Sequence, residues 1–118
     1  MLRLCAAAIA FAAIAGAAQA SPLRLNDSQF IEASRCAALL ASKALGGDSD
    51  ASAIKTLLNR ERVGRADFTR ERADTAKQDA DREARHANDA QKARLVAERD
   101  GACQKFTLAG SAGTNTVN

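Results

Sequence analysis

Apolar residues recur at helical spacing along most of the chain. After Asn26, the residues Phe30, Ala33, Ala37, Leu40, Ala41 and Ala44 fall on one face of a 3.6-residue period, with Cys36 near its edge. Asn26 and Gln29 have capping-box spacing, and Leu25 and Phe30 occupy the positions of a hydrophobic staple. Gly46-Gly47 follows Leu45 and stops the pattern, so a helix is predicted over 27–45. Asp48-Ser49-Asp50 offers the next N-cap. Ile54, Leu57 and Leu58 restart the period, which places a second helix from residue 51. Gly64 lies inside that run, either as a kink or as a weak spot costing about 1 kcal/mol against alanine.

From Thr69 to Arg94 there is no Leu, Ile, Val, Phe or Met. Alanine carries the period instead, at 73, 76, 80, 84, 87, 90, 93 and 97, always three or four residues apart. Opposite charges lie between the alanines at i,i+4 (Arg70–Asp74, Lys77–Asp81, Asp81–Arg85, Arg94–Glu98) and at i,i+3 (Asp79–Arg82, Asp89–Lys92). Each such pair adds about 0.2–0.5 kcal/mol to a helix. The stretch is helical almost on local terms, but it has little apolar area to bury. Asn88 and Gln91 repeat the capping spacing. The helical run therefore divides at His86–Asp89, giving helices over 51–86 and 89–106. Residues 107–118 are mostly Gly, Ser, Thr and Asn and are expected to be a disordered tail. The expected fold is all-α: a small three-helix bundle, or helical hairpin, closed by one disulfide.

The beginning of the chain reads as an address. Met1-Leu2-Arg3-Leu4 is followed by an apolar run from Cys5 to Ala18, then Ala18-Gln19-Ala20 and Ser21-Pro22. This is the form of a cleaved secretory signal peptide over residues 1–20. The run is short for a membrane span, which needs roughly 20 apolar residues, so no stable span is expected after cleavage. Cys5 leaves with the leader. Cys36 and Cys103 remain, 67 positions apart and not in a Cys-x-x-Cys redox pattern. Two cysteines in an exported chain predict one disulfide, and the leader looks bacterial, which places the protein in the periplasm or outside the cell.

That bond constrains topology. A straight helix from 51 to 102 would be about 78 Å long at 1.5 Å per residue, which would carry Cys103 far from Cys36. An intrachain bond therefore requires the chain after residue 51 to double back between residues 75 and 89; the alternative is a bond between two chains.

Composition narrows the chemistry. The formal charge is +3, the sequence pI is about 9.0, aromatic residues make up 3%, and Trp and Tyr are absent. Basic and acidic residues are interleaved and no aromatic stacking set exists, so nucleic-acid binding is not expected. The densest basic run is Arg60, Arg62, Arg65, Arg70 and Arg72, broken by Glu61, Asp67 and Glu71. It reads as a solvated face that can dock on an acidic partner or on anionic lipid. Glu83-x-x-His86 has the spacing of a di-metal ligand pair, and Asp79 could join it, but the motif occurs once where such sites need it twice. No metal and no cofactor are expected. The one histidine lies in the least apolar stretch, and Ser28, Ser34, Ser42, Ser49 and Ser52 occupy cap or Ala-rich positions, so no nucleophilic triad is expected. The reading is not an enzyme.

Arg99-Asp100-Gly101-Ala102-Cys103, preceded by Gln91 and Arg94, resembles the R-D-x-x-C ending of small exported helical domains of the LprI-type lysozyme-inhibitor family. Arg35-Cys36 and Leu58-Asn59 occupy places comparable to that family's early Cys and its Leu-Asn. The aromatic residue that the family carries between Gln and Arg-Asp is absent here. The resemblance implies an inhibitor of a cell-wall hydrolase. The residues themselves point to a non-catalytic periplasmic helical protein with a structural or protein-binding role, its partner an envelope protein.

Overall fold

The computed structural model describes residues 24–46 and 50–112. The leader over 1–20, the start of the lead at 21–23 and the last residues of the tail, 113–118, lie outside the described residues.

The fold is all-α. Its helices are α1 (Asp27–Ala41), α2 (Ser52–Arg62), α3 (Asp67–His86), α4 (Asp89–Asp100) and α5 (Gln104–Ala112), with a short 3-10 helix at Lys43–Leu45 after α1. Both capping boxes form. The Asn26 side chain accepts from the Gln29 backbone N–H and the Gln29 side chain accepts from the Asn26 N–H; Asn88 and Gln91 repeat the exchange at the start of α4. Two orphan N–H groups are satisfied at each start, which is why these boundaries were legible.

Three expected boundaries are corrected. The first helix ends at Ala41, and 43–45 continue as the 3-10 turn, closed by Gly46 in the left-handed region at φ 66°. The run expected over 51–86 is two helices. Val63 is extended and Gly64 takes φ 79°, a value that a side chain resists, so the chain turns a corner and restarts after Ala66. The helix expected over 89–106 stops at Gly101, and α5 then occupies 104–112, so that residues 107–112 are helical where a disordered tail was expected. The fold-back itself lies at Ala87–Asn88, within the range that the disulfide demands.

α1 is the central helix. Ala33, Ser34, Cys36, Ala37, Leu39 and Leu40 are all buried, so it is covered on more than the one face expected, while Ala41 of that face is exposed. α3 lies against it in the same direction: Thr69 hydrogen-bonds Asp27 at one end, and Glu83 meets Arg35 further along. Ala73, Ala80 and Ala84 are at most 1% exposed and form the contact face of α3. The stripe does not continue as expected on α4, where Ala90, Ala93 and Ala97 are exposed and Leu95 enters the core. Small residues let the α1 and α3 backbones approach closely, so Ala80→Leu or Ala84→Leu should cost about 1–3 kcal/mol by overpacking. A urea melt of each variant checks this.

Cys36 and Cys103 are bonded within the chain, with both residues almost fully buried. The bond joins α1 to the α4–α5 junction. α5 then packs on α2, where a Cβ added at Gly110 would lie 2.1 Å from the Ala53 carbonyl oxygen. Glycine is required there by contact rather than by dihedral angle. Gly110→Ala should lift α5 from α2 and cost about 1–3 kcal/mol, seen as a lower thermal midpoint and faster amide exchange in 104–112.

Candidate interaction surface

The five arginines of the basic run do not form one face. Arg65 is buried. Its Nε donates to the Glu61 carbonyl, and its guanidinium reaches Asp27 Oδ1 at 2.8 Å, Glu61 Oε2 at 3.0 Å and the Leu25 carbonyl. It also lies 4.6 Å from the Phe30 ring centroid. The Leu25 N–H donates to Glu61 Oε2, and the carboxylate side chain is itself only 5% exposed. This network ties the entry to α1 onto the corner after α2. It is a structural clasp, and Arg65 leaves the expected docking surface. The signal was available: Glu61 stands seven residues after Ile54 and four after Leu57, on the buried stripe of α2.

Arg62 and Arg70 are committed to neighbours. Arg62 binds Asp74 through two hydrogen bonds of 3.0 Å, and Arg70 pairs with Asp67. Asp74 was expected to pair with Arg70 along the helix; it reaches across the corner instead. The hydrogen-bonded Arg62 guanidinium holds the Asp74 carboxyl below its ordinary range. A depressed folded-state pKa gives stability that is present above the unfolded pKa of about 3.9 and is lost as pH falls through the folded value. Wild type should therefore lose more stability than Asp74→Asn between pH 5 and pH 2, read from acid-titrated urea melts.

Arg60 and Arg72 remain. Arg60 is exposed without a carboxylate partner among the described residues, and the Arg72 guanidinium stands 5.6 Å over the Phe68 ring. Phe68, in the first turn of α3, is 66% exposed. It opens a groove of about 410 Å³ between α1 and α3, lined also by Ile31, Glu71, Thr75 and Asp79. An exposed aromatic with an arginine on its face is the side-chain chemistry that dominates binding surfaces. Phe68 has no sequence signal beyond being apolar in a polar first turn.

The residues considered for metal chemistry stand at separate places on α3. Glu83 accepts from Arg35 at 2.9 Å, Asp79 faces Arg82, and His86 is exposed at the end of α3. Among the described residues no three His, Cys, Asp or Glu side chains converge where an ion could sit. Arg35 also holds Glu98 bidentately, with its Nε 2.8 Å from Oε1 and its Nη2 2.9 Å from Oε2, so one guanidinium joins α1, α3 and α4. The Glu98 hydrogen bond, with Glu83 beside it, raises the Arg35 pKa above its ordinary value, against the opposing effect of burial. Glu98 was expected to pair with Arg94 within α4.

Compared with known proteins, the chain matches no family model, no curated protein and no solved structure. Among the described residues no helix is long and apolar enough to cross a membrane. The stretch that carries the family resemblance is structural in its placement. Arg99 is only 8% exposed and pairs with Asp100, the Gln104 side chain donates to the Arg99 carbonyl, and Cys103 is in the disulfide.

Proposed function

We propose that the chain is a non-catalytic, exported helical module that works by docking on another component of the bacterial cell envelope. The mouth of the α1–α3 groove is its contact surface. The observation that carries this reading is Phe68, held two-thirds exposed in the first turn of a helix that Arg62–Asp74 and Arg35–Glu83 brace to its neighbours, with Arg72 on its face. An exposed aromatic leaves apolar surface in water, and docking removes that unfavourable contact. The disulfide supports a working place in an oxidising compartment, and the leader-like residues 1–20 support export to the periplasm or beyond.

The test is capture from periplasmic extract by wild type and by Phe68→Ala/Arg72→Ala, with mass spectrometry of what is retained. Loss of a specific component in the variant, at unchanged helicity and disulfide content, is the expected result. Equal capture by both chains overturns the assignment of this surface. A lysozyme assay with added protein separates the cell-wall hydrolase inhibitor reading: Arg99 and Cys103, which carry that likeness, are buried, and the expected rate is unchanged.

A further inference from the structure

Among the described residues three large apolar side chains stand exposed, and two of them, Val63 at 72% and Phe68 at 66%, belong to the α2–α3 corner. Unpaired cations surround them. Arg24 donates to the Val63 carbonyl at 2.6 Å, Arg60 projects from the last turn of α2, and Arg72 covers the Phe68 ring. None of these three has a carboxylate partner among the described residues. The acids of the corner are mostly answered from within: Glu61 by Arg65 and Asp67 by Arg70, leaving Glu71. The corner is therefore a small apolar tip with positive charge to spare.

Two isolated apolar tips cover far less than the roughly 800 Å² that each side of a stable protein interface buries. They are enough for weak interfacial binding when basic side chains add about 1 kcal/mol each near an anionic surface.

We propose that the α2–α3 corner docks on anionic lipid, with Val63 and Phe68 entering the headgroup–acyl boundary and Arg24, Arg60 and Arg72 meeting headgroup phosphates. The proposal rests on the docking reading above and names the class of its partner. The experiment is co-sedimentation of the protein recovered after export with vesicles of phosphatidylglycerol or of phosphatidylcholine. Binding to phosphatidylglycerol is expected, about tenfold weaker on phosphatidylcholine and weakened by salt. Val63→Ser/Phe68→Ser should lower it about tenfold; both positions are exposed, so helicity and disulfide content should be unchanged. No binding to phosphatidylglycerol overturns the proposal, as does binding that the double variant leaves intact, which puts the contact elsewhere. If vesicles fail while capture of an envelope protein still depends on Phe68, the lipid assignment falls and the docking reading stands. If neither depends on Phe68, both fall.

Discussion

Replacing both halves of the disulfide, as Cys36→Ala/Cys103→Ala, is expected to lower stability by about 4 kcal/mol. The bond closes a loop between residues 67 positions apart. Most of its effect in the chain-entropy description comes from the unfolded chain, which becomes free to separate these points. The folded chain has little to offset such a loss. Much of its contact surface is alanine, and α3 contributes only Thr69 and alanines to the interior. Loss should be uneven. α5 is nine residues long, packs mainly on α2, and is tethered at its head by Cys103. Without the tether it should open first, while α3 keeps its local helix. Urea unfolding followed by circular dichroism measures the total, and amide exchange in 104–112 against 73–84 measures the order. Reductant added to the folded protein should act slowly, because Cys36 and Cys103 are at most 1% exposed.

Arg65→Met should cost about 3–5 kcal/mol, the range for removing one partner of a buried ion pair. The substitution leaves the Glu61 carboxylate buried with only the Leu25 N–H as a donor. It also strips Asp27 Oδ1 and the Leu25 carbonyl of their guanidinium contacts and takes the cation from the Phe30 ring. Methionine keeps the apolar stem, so the loss reads the charge and its hydrogen bonds. Adding Glu61→Leu to that variant should recover much of the deficit, since replacing both members of a buried pair by apolar groups is often near neutral. A double-mutant cycle in chemical denaturation checks both statements. If Arg65→Met melts like wild type, the clasp contributes nothing and the entry to α1 is held by packing alone.

What the sequence makes legible here is whatever is decided within four residues. The two Asn-x-x-Gln boxes, the glycine stop after Leu45 and the fold-back at 87–88 are local, and each stands where the spacing put it. The pairing of Cys36 with Cys103 was expected from the count once Cys5 was assigned to the leader, with a bond between two chains as the alternative; the structure closes it within one chain. The features that escaped are tertiary. Asp74 and Glu98 could satisfy arginines on their own helices, yet both reach other helices, because α3 and α4 lie beside arginines that present two donors at once. The second half of the alanine stripe turns to solvent because α4 packs through Leu95 instead. α5 is nearly uncharged and lacks a cap signal; it is helical because α2 gives it a surface and Gly110 permits the approach. The basic run was read as one surface, though Arg65 lies on the inward continuation of the Ile54–Leu57–Glu61 stripe.

The covalent ring also sets how the molecule responds to tension. A pull applied at the two ends, by a translocating motor or a processive protease, passes through the Cys36–Cys103 bond as a shortcut. It bypasses α2, α3, α4 and the second half of α1. Only the segment before Cys36 and the one after Cys103, including α5, can pay out as extended chain. A force–extension trace should therefore be short under oxidising conditions and should lengthen by the 67-residue interval once the bond is cut. A pore too narrow for two strands should stall at Cys103 when fed from the C-terminal end. Phe68 and Arg72 lie inside the shielded interval, whereas Ile31 on the opposite wall of their groove stands on the segment that pays out, so tension at the N-terminal end should strip the α1 wall from the proposed docking surface and leave its α3 wall in place.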